Sequence, residues 1–324
     1  QDLHDYRPVQ RAPLSFDYRG FEIELMPPPS AGGVAIAETL LMMQARSAEQ
    51  TPLSSPSALH QFIELSRRAQ IDKRFGVMDP ESAGYDDAAR RNRWLHPQIA
   101  FSRMPSIDPE HATPSKQLSP LYSAALRELE HTTHFSVVDA EGTAVSCTTT
   151  LSAGYGAGFV VPGAGFVMNN SVAAFGTVGD STPEPGRRTT SSMTPTLVLS
   201  QREPVAVIGT PGGDTIPSTI TQVIVNLIDG QMLLEDAIDA PRVHPSFVPD
   251  EVRYESQFPV PTATRKALQK MGHRLRSRRV IGDANSVVLT HNQSKTIAWG
   301  YADPREGGLA LGTDTPNTSK QPSP

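Results

Sequence analysis

The chain has 324 residues, 38% of them hydrophobic and 19% charged, with 29 Lys and Arg against 34 Asp and Glu. It is apolar enough for a substantial core, which excludes wholesale disorder, and a net charge of -5 lacks the basic footprint of a nucleic-acid binder. The single cysteine, Cys147, excludes an intrachain disulfide framework and a cysteine-rich zinc site, and no run of 18 apolar residues marks a membrane span.

The chain starts at Gln1 inside a polar phrase, which reads as a processed, engineered or fragmentary end with any targeting segment upstream. A strand is expected over Tyr18 to Met26, ended by Pro27-Pro28-Pro29 because proline cannot donate to a sheet ladder. Helices come next over Val34 to Arg46 and over Ser57 to Lys73, the second with Ser57 as its N-cap. Residues 75 to 118 read as loop with one short helix near Asp86 to Trp94, and Ser119 to Glu130 as helix. The pattern then changes: Thr133 to Asp139 and Ala144 to Leu151 read as strands joined by a turn at Glu141-Gly142. Further strands are expected at Gly165 to Met168, Thr194 to Ser200, Val205 to Gly209 and Val252 to Glu255. Helices are expected over Ser218 to Ile228, Leu234 to Asp239 and Thr262 to Met271, then a hairpin from Asn285 to Gly300. The tail 309 to 324 reads as disordered. Strands in the middle with helices on either side predict a layered α+β domain.

Familiar chemical motifs are missing. Gly154, Gly156 and Gly158 lack the third glycine and the helix of a dinucleotide fingerprint. His131 and His134 have no third ligand nearby, so no metal site is expected. There is no H-E-x-x-H and no G-x-S-x-G. The remaining candidates are hydroxyls: Thr132-Thr133, Thr148-Thr149-Thr150 and Ser191-Ser192, with a glycine pair, Gly212-Gly213. A threonine at a new N-terminus carries its own base, an α-amino group that titrates near neutrality, so it needs neither histidine nor aspartate. Taken singly, each hydroxyl is an ordinary strand or turn residue.

Taken together, they resemble the γ-glutamyltranspeptidase family. The resemblance is carried by Thr132-Thr133-His134-Phe135-Ser136-Val137-Val138-Asp139, by Met26-Pro27-Pro28-Pro29-Ser30-Ala31-Gly32-Gly33 and by Ser191-Ser192-Met193-Thr194-Pro195-Thr196. It continues in Gly209-Thr210-Pro211-Gly212-Gly213, Asp239-Ala240-Pro241-Arg242-Val243-His244 and Ala302-Asp303-Pro304-Arg305. It implies an N-terminal-nucleophile hydrolase with an αββα four-layer sandwich and no cofactor. It also implies a proenzyme that cuts itself between His131 and Thr132 into large and small subunits. Residues 1–131 would then be the C-terminal part of the large-subunit region and 132–308 the small-subunit region of the same domain.

By the same resemblance Thr132 is the nucleophile, Thr150 hydrogen-bonds it, and Gly212 and Gly213 present the oxyanion-hole N–H pair. Ser191 and Ser192 hold a substrate carboxylate, and Ser152, Asn170 and Ser171 complete the substrate contacts. The implied donor is a γ-glutamyl or related acyl amide, the acceptor water, an amino acid or a peptide, and the location periplasmic or extracellular.

The sequence also departs from the family. Ser152 replaces an asparagine, and Ser171 and Ala174 stand where a glutamine and an aspartate bind the donor ammonium. Without that aspartate a buried ammonium lacks its charge partner, which points to a different acyl group. The segment between Phe175 and Thr189 is short, so an open site is expected. Family large subunits are longer than 131 residues and supply an arginine for the substrate carboxylate. The sandwich is therefore expected to lack part of its N-terminal helices and to leave a sheet face uncovered. The alternative reading is a catalytically silent or incomplete homologue that acts at most as a binding protein.

Overall fold

The computed structural model describes residues 2–46, 52–119, 131–175, 183–292 and 295–312. In chain order the elements are α1 (Asp2–Asp5), β1 (Leu14–Tyr18), β2 (Phe21–Leu25), α2 (Gly32–Arg46), α3 (Pro56–Phe75), α4 (Asp87–Leu95), α5 (Pro97–Ser102) and α6 (Ser115–Leu118). Next come β3 (His131–Val138), β4 (Ala144–Ser152), β5 (Thr196–Ser200), β6 (Glu203–Ile208), α7 (Ile216–Ile228), α8 (Leu234–Asp239), β7 (Val243–Ser246), β8 (Glu251–Glu255), α9 (Thr262–Lys270), β9 (Leu275–Arg278), β10 (Ser286–Asn292) and β11 (Lys295–Tyr301).

A six-stranded sheet has the order β1-β2-β5-β6-β10-β11, antiparallel throughout. It draws strands from both sides of residue 132. Its two faces arise from the period of two along each strand. Val198, Ala206, Ile208 and Val288 face the main core, which they share with α2 and α7. Every residue of α7 is buried, as is α2 from Gly32 to Met42. Of the polar residues that α7 carries inside, Gln222 donates to Ser218 O and Val243 O and accepts from Val243 N, whereas the Thr219 hydroxyl is buried without a partner among the described residues.

The other face of the sheet carries the β3–β4 hairpin, which lies across β6 and β10. Ser146 Oγ donates to Ile208 O at 2.9 Å and Ser136 Oγ to Asn285 O at 3.0 Å. His134 packs edge-on against Gly209, where any Cβ would come within 2.1 Å of the ring. Because Ser136 Oγ donates onward to Asn285 O, it accepts from His134 Nε2–H, and Nδ1 in turn accepts from Thr148 Oγ1. Burial pushes this imidazole down to about 4, so it sits in the fold as the neutral ring. A third sheet, β7-β8-β9, is closed by the parallel β8–α9–β9 crossover and packs beside α3.

The α+β class is as expected. Among the described residues, helices, the six-stranded sheet and the two-stranded hairpin stack in that order, with the β7-β8-β9 sheet beside α3. The outward face of the hairpin carries Phe135 and Val137, each 49% exposed, and Val145, 47% exposed.

Several elements differ from expectation. The first strand is a hairpin, because Arg19 and Gly20 both take positive φ (56° and 86°) and turn Tyr18 back onto Phe21. The cap of α3 is Ser55, whose side chain accepts from Ala58 N; Pro56 then occupies the first helical turn. Ser57 therefore lies inside the helix. Strands β7 and β9 pair with partners their own composition does not announce. The segment from Gly165 to Met168 forms only a single bridge, Val160 to Val167, and the expected loop 75–118 also contains α5 and α6. The helix expected at 119–130, beyond Ser119, and the tail beyond 312 lie outside the described residues.

Candidate active site

The β3–β4 register places Thr132 opposite Thr150, with a bulge between His131 and Thr132. Thr132 Oγ1 donates to Thr150 Oγ1 at 3.3 Å, and Thr150 Oγ1 donates to the His131 carbonyl oxygen at 2.5 Å. Ser152 N donates to Thr150 Oγ1 at 2.9 Å, while Ser152 itself takes φ 76° where β4 ends. The Thr150 hydroxyl thus touches both the candidate nucleophile and the carbonyl of the His131–Thr132 peptide bond.

A pocket opens beside this pair. Thr132, Thr150, Ser152, Ser171, Ser191, Ser192 and Gly213 all line it, although they span about eighty positions of sequence. Ala173, Ala174, Thr189, Thr190, Met193 and Ile216 complete the wall. No lining residue among those described is charged.

The Ser191-Ser192 segment is positioned by the proline- and glycine-rich phrase near the N-terminus. Ser30 and Ser191 form a parallel bridge, and Ala31 N donates to Ser191 O at 2.7 Å. Ser30 Oγ donates to Met193 O at 2.5 Å. A Cβ on Gly32 would collide with Thr194 Oγ1 and Ser192 O, at 1.9 and 2.4 Å, so only glycine permits the approach. Two motifs 160 positions apart are one structural unit.

Gly212 and Gly213 take φ 131° and 58°, in the turn between β6 and α7. Neither N–H donates to another described residue, and Gly213 reaches the pocket directly. The turn closes through Thr215, whose N and Oγ1 both donate to Gly212 O, at 3.1 and 2.9 Å. Two free N–H groups at the start of a buried helix are suited to stabilise a developing oxyanion.

Asn170 is not among the lining residues. Its Oδ1 accepts from Ala153 N at 2.9 Å and its N donates to Leu151 O, so it pins the loop after β4. The sequence reading missed Thr189, Thr190 and Met193, on the segment before β5, and Ile216, at the start of α7, which only the tertiary fold brings to the wall. It also missed a buried polar group behind α3, where His60 Nδ1 stands 2.7 Å from His273 Nε2 and Glu64 pairs with Arg68 at 2.8 Å. His60 and His273 are 213 positions apart, so no local motif signals them.

The paired hairpin hydroxyls and the glycine amides over a helix-backed sheet would suit acyl transfer. Comparison with known proteins gives the family. The γ-glutamyltranspeptidase family model matches residues 1–313, and this chain belongs to that family. Its sequence is 32% identical over 317 residues to the glutathione hydrolase proenzyme of Escherichia coli, covering 94% of this chain and 53% of that protein. It is also 32% identical over 306 residues to the acylase ACY 1 proenzyme of Pseudomonas sp. SE83, covering 92% of this chain and 51% of that one. Among solved structures, cephalosporin acylase from Bacillus halodurans superposes with a TM-score of 0.76 over 94% of this chain and 53% of that one, at 25% identity. A T380A mutant of Helicobacter pylori γ-glutamyltranspeptidase superposes with a TM-score of 0.51, 38% identity, over 54% of this chain and all of that one. The chain spans about half the length of the curated relatives it matches.

Proposed function

We propose that this chain carries the nucleophile half of an amide hydrolase or acyltransferase that matures by cutting itself before Thr132. The observation that carries this reading is the Thr132–Thr150–His131 hydrogen-bond chain on a pocket that Gly213 also lines, with the Gly212 and Gly213 N–H groups unengaged among the described residues. In maturation the Thr132 hydroxyl attacks the His131 carbonyl carbon, which Thr150 polarises. The C–N bond breaks as an ester forms on Oγ1, the hydroxyl proton passing to the nitrogen to give the Thr132 α-amino group; water then hydrolyses the ester, freeing the hydroxyl and leaving a carboxylate on His131. In turnover the α-amino group takes the Thr132 hydroxyl proton as Oγ1 attacks the substrate carbonyl. Gly212 and Gly213 stabilise the tetrahedral oxygen, the proton passes to the leaving amine, and water or an amine acceptor releases the acyl group. One such donor is worth about 2.7–4 kcal/mol in comparable sites.

Ser191 and Ser192, on the wall facing Thr132, suit a carboxylate or carbonyl end of the donor. The uncharged lining favours an acyl group without an α-ammonium, and an acylase among the relatives is in keeping with that. The two segments produced by the cut would remain together, because β1 and β2 share a sheet with β5. A periplasmic or extracellular location and the complete four-layer sandwich belong to the same proposal.

The test is N-terminal sequencing of any smaller band on a denaturing gel. It should begin Thr-Thr-His-Phe in the wild type, whereas Thr132→Ala should remain one uncut, inactive chain. An uncut wild-type chain with full activity sinks the proposal.

A further inference from the structure

Glycine has little intrinsic conformational preference, so two in succession do not by themselves aim their N–H groups. The residues after them must impose the direction. Behind the Gly212-Gly213 turn the structure closes a ring of contacts. Ser218 Oγ, in the first turn of α7, donates to Thr215 O at 2.9 Å. Having donated there, it accepts from His244 Nδ1–H on β7 at 3.0 Å. The other ring nitrogen, Nε2, faces Asp214 Oδ2 at 3.5 Å. Arg253 NH1 on β8 stands 3.5 Å from the same oxygen, and its Nε donates to Glu251 Oε1 at 3.0 Å. His244 is 1% and Ser218 5% exposed, while the Asp214 and Arg253 side chains are 28% and 21% exposed, so the inner half of the ring is shielded and its outer edge meets solvent. Asp214 Oδ1 is buried without a partner, so the carboxylate is held through Oδ2.

We infer that Asp214 and His244 are positioning residues that aim the Gly212 and Gly213 N–H groups into the pocket. Asp214 comes directly after the glycine pair. Drawing its side chain back toward His244 and Arg253 orients the Gly213–Asp214 peptide, while Ser218 and His244 fix the Thr215 end of the same turn. The clamp also addresses a charge problem. A bare carboxylate near a developing oxyanion would oppose it, and Arg253 supplies compensating charge at the same oxygen that His244 Nε2 faces. Burial by itself would raise the Asp214 carboxyl, yet His244, with Lys73 and Arg253, holds it well below the usual carboxylate range.

This inference rests on reading Gly212 and Gly213 as oxyanion donors, and its test has two arms. The first measures kcat and KM on a panel of acyl anilides for wild type, Asp214→Asn, His244→Gln, the double variant and Asp214→Glu. Misaimed donors should lower kcat by about tenfold to a hundredfold with KM within about twofold. The double variant should be no worse than the poorer single one, because both act through one ring. Asp214→Glu should recover part of the loss. Unchanged kcat in variants that melt within a few degrees of wild type overturns the inference. The second arm needs no turnover. In uncut Thr132→Ala protein labelled with ¹⁵N-glycine, the Gly212 and Gly213 amide resonances, assigned through Gly→Ala variants, should move on adding Asp214→Asn. They should stay in place on adding the exposed Asp236→Asn. Amides unmoved by Asp214→Asn overturn the inference whether or not the wild type is active. Wild type inert on every anilide counts against the proposed function and leaves this second arm decisive.

Discussion

At the scale of single residues, the site depends on contacts that admit few substitutes. His134 fills the space above Gly209 in its neutral form, two positions along β3 from Thr132. Gly209→Ala would force the ring and its strand outward. It should lower stability by about 1–3 kcal/mol, read by denaturant unfolding, and slow the proposed cut before Thr132 because the strand that carries this candidate nucleophile moves. The donor pocket offers a second test. Ser171, Ala173 and Ala174 form a short 3-10 turn against the pocket with no charge of their own. Wild-type protein should turn over acyl amides lacking an α-ammonium faster than γ-glutamyl amides. Ser171→Gln with Ala174→Asp should raise γ-glutamyl turnover by about tenfold, one paired charge's worth at this depth. Equal wild-type turnover of both donor types would count against the uncharged-lining argument.

At the scale of elements, local signals and packing divide the work. Helix α3 begins where Ser55 can accept from Ala58 N and Pro56 can occupy a position that needs no N–H donor. Ser55→Ala should cost about 1 kcal/mol, while Ser57→Ala, exposed within the first turn, should change the unfolding midpoint little. Reversed sensitivities would mean the helix starts later. The two-residue turn at Arg19-Gly20 was legible as chemistry only after the pairing was known, since LSFDY and FEIEL are each ambiguous as short apolar runs. Strands β7 and β9 were illegible for another reason. VHPS and LRSR carry weak strand propensity, and pairing with β8 on both sides makes them strands.

At the scale of the whole molecule, the main core lies between one face of the six-stranded sheet and helices α2 and α7, and the candidate nucleophile rides on a thin hairpin over the other face. Buried ionisable groups then couple the fold to pH. Burial pushes His134 down to about 4, and burial with Arg67 and His60 nearby pushes His273 down to about 3. In the unfolded chain both titrate near the ordinary value of about 6.5. Their contribution is therefore complete above that value and is lost as pH falls toward the folded values, because only the unfolded chain takes up the protons. Glu38 acts oppositely, since burial beside Asp72 raises its carboxyl. Net uptake of about one proton should lower stability on the order of 1 kcal/mol per pH unit between pH 6.5 and 4.5. Denaturant unfolding across that range should show the slope, and a flat profile would remove these histidines from the account.

The hydroxyl and glycine phrases and the onset of strand periodicity near residue 132 are local chemistry, and the sequence alone was enough to read them. Thr132, Thr150, Ser152, Ser171, Ser191, Ser192 and Gly213 were named from such phrases, and the fold gathers all seven around one pocket. Tertiary structure alone decided that Ser30 bridges Ser191, that His134 sits on Gly209, and that Asp214, Ser218 and His244 form one ring. The physical reason is that a hydrogen bond or a close backbone approach depends on two surfaces meeting. Each surface by itself carries only a common residue, a serine, a glycine or a histidine, whose meaning appears when the sheet and the helices bring its partner within about 3 Å.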